Sequence, residues 1–196
     1  MTQTPFRGRL QFLLLAALFF APLLAAMLFY FVFPDWQPDA RTNYGELITP
    51  ARPLPDLPLR DADDAPVPVA VLRGRWSYVY LAAAECDAAC ANKLYQIRQI
   101  RTLLNEKRLR VQRVYLAPDT AALSAASARL AADHPDLKFY ADTPDAAYRR
   151  FFGGADPHAL YLVDPLGNWL MVYAADAESK GILKDIKKLL RVSQIG

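Results

Sequence analysis

The two cysteines of this chain, Cys86 and Cys90, are the residues whose type and spacing could most readily do chemistry. They lie in the stretch YLAAAECDAACANKLY, where an apolar run ends and a helical pattern begins. Residues four apart on a helix share one face, and their Cα atoms are about 6 Å apart, within the ~4.4–6.8 Å that a disulfide accepts. The pair could therefore be a structural crosslink, a redox centre or part of a metal site.

The residues around the cysteines help to rank these three functions. A crosslink that closes so short a loop stabilises a fold little. A helix N-terminus lowers the pKa of a thiol, whereas the carboxylates of Glu85 and Asp87 disfavour a further negative charge. A bound cation would offset that repulsion, and two thiolates suit a soft metal such as Cu(I). The sequence favours a redox or copper-binding role over a crosslink and leaves both roles open.

Histidine is the natural third ligand of such a metal site, and the chain has two histidines. His134, in ADHPD, is predicted to lie at a solvated helix end without a role in the site. His158 begins the strand pattern HALYLV. We interpret it either as a half-buried residue at a strand end or as a copper ligand or proton carrier that faces the cysteines. Met171 is predicted to be a core residue.

The N-terminus contains a long apolar segment. No residue from Phe12 to Phe33 is charged, and 22 residues as a helix would span about 33 Å, enough for a bilayer core of about 30 Å. The segment ends in FYFVFPDW, which is a poor site for signal peptide cleavage. Arg7 and Arg9 precede it, so the positive-inside rule keeps residues 1–11 in the cytoplasm. We expect residues 12–33 to be a retained transmembrane anchor and the remainder to be exported to an oxidising compartment, the bacterial periplasm.

Charge and motifs exclude several function classes. Without Arg7 and Arg9, 21 basic residues face 20 acidic ones, and that balance argues against a nucleic-acid binder. The sequence contains no Ser-His-Asp arrangement, Gly-rich phosphate loop or HExxH motif. A set of basic residues follows the cysteines, and it is interpreted either as a solvated helix face or as a docking surface for an acidic partner: Lys93, Arg98, Arg101, Lys107 and Arg108.

Two regions of different pattern follow the anchor. Eight of the 15 prolines lie in residues 34–68, which predicts an extended, partly docked arm; NYGEL within it is either a docked turn or short strand or plain linker. Residues 69–196 alternate between strand and helix patterns and predict an α/β domain with a mixed sheet. The predicted strands are 75–83, 110–119 and 137–142 and a hairpin at 158–174, and the predicted helices are 87–105, 120–135, 145–152 and 178–194. The first strand brings the cysteines to the edge of the sheet where sites form in open α/β sheets.

An anchor, a strand followed by a CxxxC helix start, and a histidine shortly before YLVDPLGNWLMVY together resemble the Sco/SenC family. The resemblance covers about Arg73 to Leu190 and is strongest in YVYLAAAECDAAC and YLVDPLGNWLMVY. These are membrane-anchored, thioredoxin-like proteins that help to assemble the binuclear copper centre of cytochrome c oxidase. The resemblance implies a thioredoxin-like fold, a mixed sheet flanked by helices, after one transmembrane helix.

The resemblance also implies roles for particular residues. Cys86 and Cys90 would be the copper-binding, redox-active thiols, and His158 would be the third copper ligand. Copper, as Cu(I) or Cu(II), would be the metal, and the partner would be the copper-bearing subunit of the oxidase or another copper chaperone. Two alternatives remain. One is a thiol–disulfide oxidoreductase that keeps the copper-site cysteines of the oxidase reduced, and the other is a non-catalytic partner-binding domain.

The chain departs from the family pattern at three places. Asp87 stands where the family usually has a proline directly after its first cysteine. His158 lies seven residues before Pro165, whereas the family histidine lies about nine before, and an ungapped match would place Asp156 there. A shift of two residues keeps the same strand face, so His158 can still point at the cysteines. Pro157 falls where thioredoxins carry a cis-proline. The sequence therefore indicates a divergent branch.

Overall fold

The computed structural model describes residues 5–32, 43–154 and 156–195, which form parts of two compact units, residues 1–41 and 42–196. The first unit contains the helix α1 (Pro5–Val32). Its stretch from Gly8 to Val32 is long and apolar enough to cross a membrane, by length and composition. The predicted apolar helix is therefore confirmed. Phe33, its predicted last residue, and residues 34–42 of the predicted arm lie outside the described part.

The second unit is built on a mixed sheet. In the described residues the sheet has eight strands in the order β1-β8-β7-β4-β5-β6-β2-β3, in which β4, β5 and β6 run parallel and the other pairs are antiparallel. The strands are β1 (Glu46–Pro53), β2 (Leu59–Arg60), β3 (Pro66–Val67), β4 (Trp76–Leu81), β5 (Val111–Ala117), β6 (Leu137–Ala141), β7 (Leu160–Val163) and β8 (Asn168–Tyr173).

Helices cover both faces of this sheet. They are α2 (Ala88–Thr102), α3 (Thr120–Leu130), α4 (Ala147–Phe152) and α5 (Ser179–Val192), with short 3-10 turns at Val69–Leu72 and Asn105–Arg110. Apolar residues of α2, α3 and α5 pack in one core cluster, and those of α4 and the first 3-10 turn pack in a second. Along β4 the side chains alternate between the clusters, with Tyr78 and Tyr80 in the first and Val79 and Leu81 in the second. The predicted fold class is confirmed, and Met171 lies in the core as expected.

The proline-rich segment contributes more to the domain than the sequence indicated. The sequence predicts an arm that ends at residue 68, yet the described part of this segment supplies β1 to one edge of the sheet and the β2–β3 pair to the other. Prolines are tolerated at sheet edges, where an N–H can remain unpaired. Within NYGEL, the backbone N–H groups of Tyr44 and Gly45 both donate to the buried carboxylate of Asp185 on α5, at 2.9 Å each. Of the two alternatives for NYGEL, a docked segment and a plain linker, the first therefore describes the structure.

Two polar residues are buried where the sequence predicted solvent. His134 is only 6% exposed, so its prediction as a solvated residue is wrong. Its ring lies beside the fully buried Arg113, with Nδ1 3.5 Å from the guanidinium. Lys93 is also buried, and its Nζ donates to the Ala175 carbonyl at 2.7 Å. Part of the basic set on α2 thus packs inward instead of forming a uniform solvated face.

Candidate functional site

The cysteines lie at the junction between the central strand β4 and the helix α2. Cys86 precedes the helix, and Cys90 lies in its first turn. Asp87 is the N-cap: its Oδ1 accepts from the backbone N–H of Cys90 at 2.8 Å, a common way to satisfy a free N–H at a helix start. Cys86 and Cys90 form a disulfide with their Cα atoms 5.2 Å apart. Cys86 is 7% exposed and Cys90 2%, so the disulfide is nearly buried.

Two arginines from later helices hold the loop that carries Cys86. Arg129 of α3 donates through Nη2 to the Cys86 carbonyl at 2.5 Å. Arg149 of α4 donates to the carbonyl of Ala82, at the other end of the same loop. The guanidinium groups of both arginines thus reach the loop that follows the carboxyl end of β4, where the cysteines emerge. They fix the loop and place two positive charges beside it.

Cys86 also lines a cleft. The cleft has a volume of about 310 Å³ and lies between the cysteine loop and α3, with walls from Ala84, Glu85, Cys86, Ala125, Ala126 and Arg129. Cys90 is not among the lining residues. Of the two cysteines, Cys86 is therefore the one that borders the cleft.

His158 joins the site from the far end of the chain. The prediction that it begins the strand is wrong: it lies two residues before β7, in a turn with a left-handed backbone (φ 71°), so the turn and not the strand face sets its direction. Its Nδ1 is 2.6 Å from the hydroxyl oxygen of Tyr80, and its Nε2 is 3.8 Å from Oδ2 of Asp87. Since Asp87 also caps Cys90, one carboxylate connects the histidine to the cysteine helix. The structure thus brings the three predicted site residues to one edge of the sheet.

The protonation of Tyr80 follows from its surroundings. Burial raises the pKa of its hydroxyl, the negative charge of Asp87 and neighbouring Tyr115 raise it further, and Arg149 opposes them in part. Tyr80 therefore keeps its proton at physiological pH and remains a hydrogen-bonding hydroxyl. Asp87, by contrast, has a side chain 63% exposed, so the rim of the site carries a solvated negative charge.

The donor atoms can be compared with what a copper ion requires. Within the described ranges, no three His, Cys, Asp or Glu side chains are grouped as a metal site. In the disulfide state the two sulfurs are bonded to each other and are not thiolates. Reduction would supply two thiolates, and with an imidazole they form a donor set suited to Cu(I). A metal-binding imidazole generally has its other nitrogen held by a hydrogen bond, as Tyr80 holds Nδ1 of His158. The residues fit copper in the reduced state.

The site contains residues that the sequence did not predict. Arg129 and Arg149 are separated from the cysteines by strands and helices, and no local pattern marks them. Tyr80 precedes Cys86 by only six residues, but its partner His158 lies 78 residues away, so the sequence does not indicate their contact. The N-cap role of Asp87 could have been predicted from the sequence, since an aspartate directly before a helical pattern is a frequent N-cap. The thioredoxin-type cis-proline is not at Pro157: among the described residues the cis bond is Thr49–Pro50, and Asp156–Pro157 is not one.

Comparison with known proteins identifies the domain. A family model described as transmembrane-like, thioredoxin-like, C-terminal domain matches residues 76–193. The chain belongs to this family. The matched range begins at β4 and includes the whole cysteine and histidine site of this transmembrane-like, thioredoxin-like domain. No curated protein matches the sequence.

Solved structures extend the comparison to the fold. Apo Sco1 from Thermus thermophilus is 17% identical and aligns with a TM-score of 0.62 over 78% of this chain and 99% of its own. Copper-bound yeast Sco1 is 19% identical, with a TM-score of 0.58 over 74% of this chain and 95% of its own. A thiol:disulfide interchange protein, DsbE, from Chlorobium tepidum is 20% identical, with a TM-score of 0.55 over 71% and 96%. The resemblance to Sco/SenC proteins is confirmed, and these identities show a shared fold.

Proposed function

We propose that this thioredoxin-like domain is a Sco-like copper-delivery protein that assists assembly of the copper centre of cytochrome c oxidase. The observation that carries the proposal is the placement of His158. Its imidazole is carried by the turn before β7, and its Nε2 lies 3.8 Å from Asp87. Asp87 follows Cys86 directly and is the N-cap of the helix that contains Cys90. A disulfide exchanger needs only the two cysteines, whereas a Cu(I) carrier gains from a third, nitrogen donor. Copper-bound Sco structures share the fold.

The proposed cycle starts from the disulfide. Two electrons from a dithiol donor and two protons break the Cys86–Cys90 bond and leave two thiols. Cu(I) then replaces the thiol protons and binds as cargo to both sulfurs and to Nε2 of His158. Transfer of the ion to the copper-bearing oxidase subunit, or receipt from another copper chaperone, would proceed through Cys86, because that residue lines the cleft.

A copper titration tests this proposal. The full chain in detergent, reduced with dithiothreitol and then desalted without oxygen, would compete for Cu(I) with a chromophoric chelator. We expect one Cu(I) per chain, and we expect His158→Ala to weaken binding by at least about 10–100-fold, the loss usual for supporting residues alone. His134→Ala is the matched control, since the chain has two histidines and His134 contacts Arg113. Equal affinity in both variants would reject His158 as a ligand.

A thiol–disulfide oxidoreductase is the second candidate. The closed disulfide and the approach to Cys86 from the cleft favour it. Its substrate would be the disulfide of the oxidase copper site, which it would keep reduced. In that case wild-type protein would bind Cu(I) weakly but would exchange disulfides with glutathione at a rate that Cys86→Ser abolishes. A domain that neither binds Cu(I) nor exchanges would be a non-catalytic partner-binding module.

We further infer the location of the domain. The apolar helix α1 would anchor the chain once in the bacterial inner membrane, with residues 1–11 cytoplasmic and the domain in the periplasm. Alkaline phosphatase, which is active only after export, should be active when fused after residue 40. Activity of a cytoplasmic reporter at that position would reverse this orientation.

A further inference from the structure

Tyr80 has a close counterpart on the neighbouring strand, and the difference between the two is informative. Tyr80 on β4 is directly opposite Tyr115 on β5 in the parallel register, and the two rings lie 6.1 Å apart in the same core cluster. Both residues are at most 1% exposed. The Tyr115 hydroxyl has no hydrogen-bond partner in the part of the chain that the structure describes. The Tyr80 hydroxyl contacts Nδ1 of His158 at 2.6 Å.

The His158 ring has a polar neighbour at each of its nitrogens: a hydrogen-bonded hydroxyl at Nδ1 and a carboxylate 3.8 Å from Nε2. The Tyr80 hydroxyl is hydrogen-bonded to Nδ1, and the two rings are nearly parallel, at 18°, with their centroids 6.2 Å apart. Asp87 faces Nε2 from the cysteine side. The carboxylate of Asp87 lies 3.8 Å from Nε2, and its negative charge favours the ring proton on that nitrogen in the disulfide state. Nδ1 then accepts a hydrogen bond from the Tyr80 hydroxyl.

Binding of a metal at Nε2 requires the opposite arrangement. The ring proton must then reside on Nδ1, which becomes a donor, and its neighbour must accept. A tyrosine hydroxyl can donate in the first arrangement and accept in the second without moving. A phenylalanine can neither donate nor accept this hydrogen bond. A carboxylate could only accept it and an ammonium could only donate it, so each would suit one tautomer of the imidazole.

We propose that Tyr80 is a positioning residue whose hydroxyl holds the His158 imidazole, in both tautomers, with Nε2 directed at the cysteine loop. The proposal rests on the proposed function only for its consequence on copper binding, since the hydrogen bond itself exists in the disulfide state. Tyr80 is not one of the proposed copper ligands, and it acts through His158.

Nitrogen NMR at one fixed pH tests the hydrogen bond without copper. Protein labelled with ¹⁵N only in histidine gives signals from two imidazoles, so His134 serves as an internal reference. In the oxidised full chain in detergent, we expect the His158 Nδ1 resonance at the position of a hydrogen-bonded acceptor. Tyr80→Phe should move it to that of a free ring nitrogen, and Tyr115→Phe should leave both imidazoles unchanged. A free-nitrogen position already in the wild type, which needs no variant, would overturn the proposal.

Copper affinity gives the second measurement. In the reduced protein, Tyr80→Phe should weaken Cu(I) binding by about 10–100-fold relative to Tyr115→Phe, the range seen when a residue that orients a ligand is lost. Equal affinities in the two variants would overturn the positioning role. If even the wild type fails to bind Cu(I), the copper-delivery function fails while the NMR result still decides the role of Tyr80. The two failures are therefore distinguishable.

Discussion

At the scale of single residues, the ion pair between Arg113 and Asp136 beneath α2 depends most strongly on keeping both partners, because its arginine is buried. Arg113 is completely buried and donates through Nε and Nη2 to Asp136, at 3.0 and 2.5 Å, and Arg101 adds a third donor at 2.9 Å. Burial alone would raise the pKa of Asp136, but its hydrogen bond with Arg113 and the charges of both arginines outweigh burial, so the pKa is lowered. The pair therefore stabilises the fold above the unfolded carboxyl pKa of about 4, and this contribution is lost as the pH falls through the lower folded value.

Replacing this carboxylate tests the pair. Asp136→Asn leaves a buried guanidinium without its counter-charge, and we expect a loss of about 3–5 kcal/mol in the free energy of unfolding at pH 7, measured with urea. The extra loss of stability below about pH 4 should also shrink in this variant. Asp133→Asn is the control, because Asp133 is exposed and should stay within about 0.5 kcal/mol of wild type. Equal stability of the two variants would contradict this assignment.

At the scale of elements, the loop between β4 and α2 depends on the two helices that follow it. Arg129 and Arg149 bond carbonyls at the two ends of the loop, and their charges favour the thiolate form of Cys86. Favouring the thiolates favours the reduced state. The arginines should therefore raise the reduction potential of the disulfide.

Adjacent arginines on α4 provide a matched test. Arg149 reaches the loop, whereas Arg150 is exposed and pairs with Asp145. We expect Arg149→Gln and Arg129→Gln to make the potential more negative by roughly 10–20 mV, corresponding to about 0.5–1 kcal/mol for two electrons. Equilibration with glutathione buffers measures the potential. Arg150→Gln should not change it, and a shift as large as that of Arg149→Gln would mean that general surface charge is responsible.

The sequence predicted the helices and strands better than the contacts between distant residues. Every helix and strand from β4 onward was indicated, because each carries a helical or alternating apolar pattern over five or more residues or borders a clear turn such as DPLG. The two-residue strands β2 and β3 are too short to show a period, and the prolines of β1 argued against a strand. The cysteines and His158 were found from residue type. Tyr80 and Asp185 were not, since their partners are 78 and about 140 residues away and only the folded topology brings them together.

At the scale of the whole molecule, the folded domain starts well before residue 69, where the clear strand and helix patterns of the sequence begin. The compact unit begins at residue 42, and Tyr44 is further held by Lys184, which donates to its hydroxyl at 2.8 Å. A fragment from residue 69 would lose three strands and leave the buried Asp185 without its two backbone donors, and each lost donor or unpaired group costs about 1–3 kcal/mol. We expect a fragment from residue 42 to melt as the full chain does and one from residue 69 to melt at least 10 °C lower. Equal melting temperatures would show that the segment contributes nothing to the fold.

The two edge strands of the sheet would matter most if the proposed anchor held many copies of the domain in one membrane. Copies of a tethered domain share a two-dimensional surface, where their local concentration is high. Edge strands with unpaired backbone N–H and C=O groups could there pair with the edge strands of neighbouring copies. Here one continuous segment, residues 46–67, supplies the outermost strands on both sides. Those strands carry Pro50, Pro53 and Pro66, which cannot donate to a neighbouring chain. Residues 46–67 thus disfavour edge-to-edge association of neighbouring copies and leave the edge of the sheet that carries the cysteines free to contact other molecules.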